Sequence, residues 1–291
     1  MELPAEPEIL LTNDDGIDAP GIRALHDALS TVGSVTVVAP DRDRSAVGRS
    51  LSYGRTASND EPDFDGGEVE SSAIDMAEGQ FTSPVPHADH ELGYAIDGTP
   101  CDCAIVGVNA LERTPDLVVS GCNDGANLGT YVFARSGTVS AAMEAAFLDV
   151  PSIAVSMDTL GMDEPLEPAD FSPAAELTAA IVDGASGTGL FDRVDYLNVN
   201  APTPDRSEPS LEITRPTDVY EMDATVENGR FRLTNRLWQQ MANRDIPDPA
   251  DTDRHAVLEG NVSISPLRVP YELVDSPVVE DLLERVASGR T

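Results

Sequence analysis

Residues 9–21 read ILLTNDDGIDAPG. An aliphatic run of strand length ends abruptly in Asn13, Asp14, Asp15 and Gly16, and Pro20 then marks the entry of a helix. A strand that is apolar without alternation suits a sheet covered on both faces. In doubly wound sheets of that kind ligands sit beyond the carboxyl ends of the strands, and the two adjacent carboxylates fall at such an end.

The same rhythm continues outward. APGIRALHDALSTV places Ile22, Leu25 and Leu29 at helical spacing, and SVTVVAP is β-branched and strand-like. After a long break come the strand YAID, a helix carrying Ile105 to Leu111, the strand DLVVSG, the helix GTVSAAMEAAFLD, the strand PSIAVSMD, a helix over Ser172 to Asp183 and the strand DYLNVNAP. Strands alternating with helices predict an α/β fold, a mostly parallel sheet with helices on both faces. Residues 1–205 form the expected catalytic domain, and residues 53–92 read as an exposed acidic insertion with ten acids against Arg55 alone. In residues 206–291 the alternation stops. LEIT, FRLTNRL and NVSISPL look like antiparallel strands or a hairpin, and VVEDLLERVAS like an amphipathic helix; this extension is expected to serve oligomerisation.

The 291 residues carry 52 acids and 18 bases, a formal charge of −34, and every one of the bases is arginine. Without lysine there is no Schiff-base lysine, phosphate-loop lysine or lysine general base. A nucleic-acid polymer is an unfavourable partner for so negative a surface. At about 1 M salt the Debye length falls to roughly 3 Å, so the charge suggests a halophile's salty cytoplasm. The first residues lack a basic n-region and a long apolar stretch, and no run reaches the roughly 18 apolar residues of a membrane span, so a cytoplasmic protein is expected. Cys101, Cys103 and Cys122 form no CxxC or disulfide framework and read as packing residues.

Three strings carry the chemistry. Asp14 and Asp15 repel one another unless a cation or a proton intervenes, and hard oxygens suit Mg²⁺ or Mn²⁺. The competing reading is a turn and helix N-cap. VVAPDRDRSAVGRSLS follows the second strand in the same way. It offers Ser45 to the crevice and Arg42, Arg44 and Arg49 either to phosphate or to their acidic neighbours Asp41 and Asp43. In VVSGCNDGANLGTYVFARSGTV, Asn123 supplies a neutral oxygen, and Ser136, Gly137 and Thr138 open a helix whose N-terminus suits an anion. Here too the alternative is an ordinary cap and loop.

Together with YAIDGTPCDC, SGTVSAAMEA and LNVNAP, these blocks resemble, in order and spacing, the SurE family of metal-dependent nucleoside-monophosphate phosphatases. The resemblance runs from about Glu8 to Pro202, with a weaker likeness in TDRHAVLEGNVSISPL. It implies a Rossmann-like fold, one divalent metal ion per subunit, and a homodimer or homotetramer that exchanges its C-terminal hairpin and helix. It assigns Asp14, Asp15, Ser45 and Asn123 as metal ligands and Ser136, Gly137 and Thr138 as phosphate binders; with that site, Asp14 or Asp15 is expected to orient or deprotonate the attacking water. The implied activity is hydrolysis of nucleoside 5′-monophosphates, with 3′-nucleotidase or exopolyphosphatase action as side activities. Cys122 departs from the family's usual SGIN loop, and residues 53–92 are longer than usual.

Other classes fare less well. A receiver domain needs a lysine, a haloacid-dehalogenase phosphatase needs DxDx[TV], and a dehydrogenase needs GxGxxG after the first strand. A non-catalytic nucleotide-binding module remains the alternative. His26 reads as a surface residue, His87 and His90 as part of a solvated loop, and Tyr220 and Trp238 as packing or base-stacking residues.

Overall fold

Strand–helix alternation of this kind needs a sheet wide enough to be covered on both faces, and the chain builds one of nine strands. The structure is a computed structural model that describes residues 2–52, 74–75, 80–81, 84–162, 165–203, 209–243 and 248–269. In chain order the elements begin with β1 (Glu8–Thr12), α1 (Pro20–Leu29), β2 (Ser34–Pro40), β3 (Ile74–Asp75), β4 (Gln80–Phe81), β5 (His87–His90) and β6 (Gly93–Ile96). Then come α2 (Pro100–Asn109), β7 (Leu117–Asp124), α3 (Thr130–Phe133), α4 (Gly137–Phe147), β8 (Ser152–Met157), α5 (Ser172–Ala185) and β9 (Tyr196–Ala201). The last are β10 (Leu211–Ile213), β11 (Met222–Glu227), β12 (Arg230–Asn235), α6 (Arg236–Asn243), α7 (Asp253–Leu258) and β13 (Val262–Leu267).

The sheet order is β10-β13-β9-β8-β7-β1-β2-β6-β5. From β9 through β6 all neighbours are parallel, while β13 and β5 run antiparallel to β9 and β6. The chain first travels outward from β1 through β2 to β6, then returns to the other side of β1 with β7 and continues through β8 to β9. The boundary between β1 and β7 is therefore the topological switch point, where an open α/β sheet leaves a crevice.

β1 explains why its sequence shows no alternation. Ile9 and Leu11 join Ile22, Leu25 and Leu29 of α1 in one core, whereas Leu10 enters the opposite core with Val38, Cys103 and Val108. α1 packs on α5 on the first face, and α2 packs on α4 on the second. Close approach is secured at Gly107, where any Cβ would collide with the Leu10 side chain. Cys101 and Cys103 lie in the first turn of α2 and are fully buried, as packing residues should be.

Two expectations change. His87 and His90 are not in a solvated loop: they are the ends of edge strand β5, joined to β6 by a tight hairpin in which His90 pairs with Gly93. HADH looks like a loop because an edge strand keeps polar side chains and needs no apolar face. LEIT and NVSISPL do not pair as a separate hairpin. They become β10 and β13 at one edge of the central sheet, β10 parallel to β13, leaving β11 and β12 as the hairpin that stands apart. The rest of FRLTNRL turns into α6 after Asn235. The proposed helix VVEDLLERVAS and most of the acidic insertion lie outside the described residues. Among the described residues no helix is long and apolar enough to cross a membrane.

Candidate active site

Asn13, Asp14 and Asp15 follow directly on β1 at the switch point, and the loops after β2 and β7 and the head of α4 each reach this acidic pair by a hydrogen bond. Asp14 is buried. Its carbonyl oxygen accepts the Arg44 N–H at 2.7 Å, which brings in the loop of Ser45. Its carboxylate accepts the Gly137 N–H at 3.1 Å on Oδ2 and the Thr138 hydroxyl on Oδ1. Asp15 Oδ2 accepts the Asp124 N–H at 3.2 Å, next to Asn123 at the end of β7. Three loops, after β1, β2 and β7, thus converge with the head of α4 on one edge.

The closest approach is between Asp14 and α4. A Cβ on Gly137 would stand 2.6 Å from Asp14 Cβ and 2.8 Å from its Oδ2, so the position is closed to any side chain. Ser136 caps the helix, its Oγ accepting the Val139 N–H at 3.1 Å. At the α4 N-terminus the Gly137 N–H and the Thr138 hydroxyl serve the Asp14 carboxylate, which complements the helix dipole, while Ser136 accepts from Val139 and keeps its own hydroxyl hydrogen.

Burial pushes the Asp14 carboxyl up. Burial, and then the charges of Asp14, Asp124 and Asp43, push Asp15 up to about 7. The arginines that the sequence placed nearby do not offset this charge. Arg42 donates to Asp97 at 2.8 Å and to Asp41 at 3.2 Å; Arg44 pairs with the same two acids, and Arg49 donates to Glu144 at 2.6 Å. Of the two readings offered by DRDRSAVGR, pairing with acids holds, although the main partner, Asp97, comes from the end of β6.

The donor set fits a hard divalent cation. Ser45 turns its hydroxyl hydrogen to Asp43 Oδ1 at 2.6 Å, leaving lone pairs on Oγ. Asn123 turns its Nδ2 to the Gly125 carbonyl, leaving Oδ1 as a neutral acceptor. Asn13 gives its Nδ2 to the Gly16 carbonyl at 2.7 Å, and its buried Oδ1 has no partner among the described residues. Among those residues no three His, Cys, Asp or Glu side chains gather as a metal cage. An ion here would combine two carboxylates with neutral oxygens, a set of the kind Mg²⁺ and Mn²⁺ accept.

Sequence reasoning missed the residues that hold the loop after Asn123. Asn127 donates its N–H to Asn200 Oδ1 at 2.7 Å and its Nδ2 to Ser156 Oγ at 2.9 Å, while its carbonyl accepts Asn198 Nδ2 at 3.0 Å. The signal was present in LNVNAP: two asparagines two apart in a strand share a face, and buried amides must find partners. Asp253 holds the far end of the same loop through the Gly129 N–H at 2.7 Å. Cys122 is buried in the core, as its neighbours suggested. It lies against the start of α1, where a Cβ on Gly21 would strike its carbonyl oxygen.

Residues 9–222 match the family described as Survival protein SurE. The protein named 5′-nucleotidase SurE from Natronomonas pharaonis is 48% identical over 96% of this chain and 99% of its own length. Its namesake from Haloarcula marismortui is 46% identical over 91% of this chain and 90% of its own. Both relatives come from halophilic archaea, in keeping with the charge of −34. The crystal structure of the SurE protein from Aquifex aeolicus superposes with a TM-score of 0.70 at 32% identity, covering 96% of this chain and all of that one. A shared fold, a family match that spans every strand from β1 to β10, and identity near one half across almost the whole length place the chain in the SurE family.

Proposed function

We propose that this enzyme hydrolyses nucleoside 5′-monophosphates to nucleoside and phosphate, using one divalent ion held by Asp14, Asp15, Ser45 and Asn123. The observation that carries the reading is the convergence of three loops and a helix N-terminus on two buried, adjacent carboxylates at the switch point. The relatives' name, 5′-nucleotidase, supports the same substrate class.

Phosphomonoester hydrolysis requires neutralised phosphoryl charge and a water aligned with the leaving oxygen. When bound, a divalent ion supplies that neutralisation and makes water more acidic. Asp14, with both oxygens engaged by Gly137 and Thr138, is fixed in place and serves as a ligand. Asp15 spends only Oδ2 on a backbone N–H, so its Oδ1 can accept a hydrogen of the attacking water and orient it. Ser136 accepts from Val139 yet keeps its own hydroxyl hydrogen for a phosphate oxygen. The dipole of α4 adds favourable potential for the anion.

Phosphate release from a panel of nucleoside monophosphates in molar KCl, with Mn²⁺, Mg²⁺ or EDTA, tests the reading. The same panel extended to 3′-monophosphates and polyphosphate measures the side activities. Asp14→Asn and Asp15→Asn are expected to abolish metal-dependent release while the fold persists. Full activity in both variants refutes the assignment, and nucleotide binding without release would establish a binding module instead. The subunits are proposed to assemble as a homodimer or homotetramer. Val226, Phe231 and Leu233 on the β11–β12 hairpin are 67%, 85% and 74% exposed, apolar surface that a second subunit would cover. Sedimentation in molar KCl reads the assembly.

A further inference from the structure

A buried polar network joins two segments that are distant in sequence. Asp253, at the head of α7, is fully buried and accepts the N–H groups of Gly129 at 2.7 Å and Thr217 at 3.0 Å. The Thr130 N–H donates to the Thr217 carbonyl at 2.8 Å. Arg254, 1% exposed, forks onto Asp248 at 2.8 and 2.6 Å and also donates to the Val219 carbonyl at 3.3 Å. Asp248 in turn accepts the Thr217 hydroxyl. Burying these charges is expensive, and what they secure is the placement of two backbone segments against each other.

Immediately beyond the clamped residues stand two tyrosines. Tyr131 follows Thr130 and Tyr220 follows Val219, and their rings meet at 5.0 Å between centroids with a 53° tilt. Arg135 completes the group: its guanidinium lies 5.8 Å and 5.5 Å from the two ring centroids and donates to Tyr220 Oη at 2.9 Å. Arg42, Arg44 and Arg49 are all held by carboxylates. Arg135 makes no such pair among the described residues. It is exposed, Tyr220 is 48% exposed, and Arg135 directly precedes the Ser136 cap of α4. Arg135 stands two residues before Gly137, the residue that donates to Asp14, so their Cα atoms are at most about 7 Å apart.

We infer that Tyr131, Arg135 and Tyr220 form the nucleobase subsite, offering aromatic and guanidinium faces on which a planar base stacks beside the phosphate centre. This rests on the nucleotidase reading above. Stacking of this kind tolerates different bases because every base has a π-face, and the cation adds attraction for both the ring and the phosphate.

The test compares the unaltered enzyme with Tyr220→Leu and Arg135→Gln in molar KCl with Mn²⁺. The measurements are KM for adenosine 5′-monophosphate, competitive inhibition by adenosine, inhibition by inorganic phosphate, and the thermal midpoint. Each variant is expected to raise KM and the adenosine inhibition constant about tenfold. Tyr220→Leu should leave phosphate inhibition within twofold and the midpoint unchanged. Adenosine inhibition that is absent from the unaltered enzyme, or unaltered in both variants, overturns the subsite. So does an equal loss for adenosine and phosphate in Tyr220→Leu. Failure of the unaltered enzyme to release phosphate from any nucleotide would instead overturn the nucleotidase reading.

Discussion

Alanine at position 137 perturbs the proposed centre at its tightest contact. Gly137 opens α4, and within a helix alanine is ordinarily favoured over glycine by about 1 kcal/mol. Here the added Cβ would lie 2.6 Å from Asp14 Cβ, 2.8 Å from Asp14 Oδ2 and 2.9 Å from Pro100 Cγ, where ordinary contact begins at 3.4 Å. The Asp14 side chain must retreat by roughly 0.8 Å, the shortfall between 2.6 and 3.4 Å, because dense packing leaves it no slack. A displacement near 1 Å at a reacting centre costs on the order of 10²-fold in rate, or about 2.7 kcal/mol of barrier. Initial rates of phosphate release from a nucleoside monophosphate in molar KCl, measured alongside thermal unfolding, read both consequences. Gly184→Ala in α5 is the control: nothing lies within 4 Å of a Cβ there, so a gain of about 0.4–1 kcal/mol with unchanged rate is expected. Native rates in Gly137→Ala at an unchanged unfolding midpoint would refute the claim that Asp14 is positioned by α4.

Arg254→Met strands the buried Asp248 carboxylate and should cost about 3–5 kcal/mol in urea unfolding at high KCl; a loss below about 1 kcal/mol would show that the pair does not secure this region. The unfolding midpoint should rise steadily from about 0.1 M to about 3 M KCl as screening shortens repulsion, and a midpoint that stays fixed would sink the halophilic reading of the charge. Burial pushes the Cys101 thiol up to about 12 and holds Cys103 and Cys122 above their ordinary range as well. At pH 8 only about one Cys101 in 10⁴ is then thiolate, so alkylation should be slow in the native protein and complete after denaturation. Rapid native labelling would contradict the burial of these cysteines.

Elements that bury an apolar face were legible in the sequence. Ile22, Leu25 and Leu29 of α1 predicted their own helix because all three had to reach one core, and they do. The strands β1, β2, β6, β7, β8 and β9 were legible for the same reason. What escaped was structure without an apolar signature. β5 is a polar edge strand, and the sheet positions of β10 and β13 depend on pairing across some 50 residues, which no local pattern encodes. The site divides in the same way. The residues proposed for the site, Asp14, Asp15, Ser45, Asn123 and the head of α4, stood out in the sequence because each follows a recognisable strand or opens a recognisable helix. Asn198, Asn200, Asp248, Asp253 and Arg254 act through buried polar bonds to segments far off in the chain. Their chemistry is visible in the sequence, but their partners are not.

The acidic surplus and an anionic substrate make opposite demands, and the distances in the site reconcile them. A nucleotide approaching a chain of charge −34 is repelled at long range. The arginine-rich loop after β2 does not offset that repulsion, since Arg42 and Arg44 are committed to Asp41 and Asp97. The attraction must come from groups that act at contact: the proposed ion, the Ser136 hydroxyl, the α4 dipole and Arg135. Contact interactions operate at about 3 Å, whereas at about 1 M salt the field of the remaining acids decays over roughly the same distance. Salt thus removes the repulsion from the approach while leaving the final contacts nearly intact. The rate at low substrate concentration, kcat/KM, should accordingly climb with KCl even over a range in which the fold is already stable. A chain with its positive charge as dispersed lysines would not need that separation of ranges; this one, with most of the arginines among its described residues paired to carboxylates, depends on it.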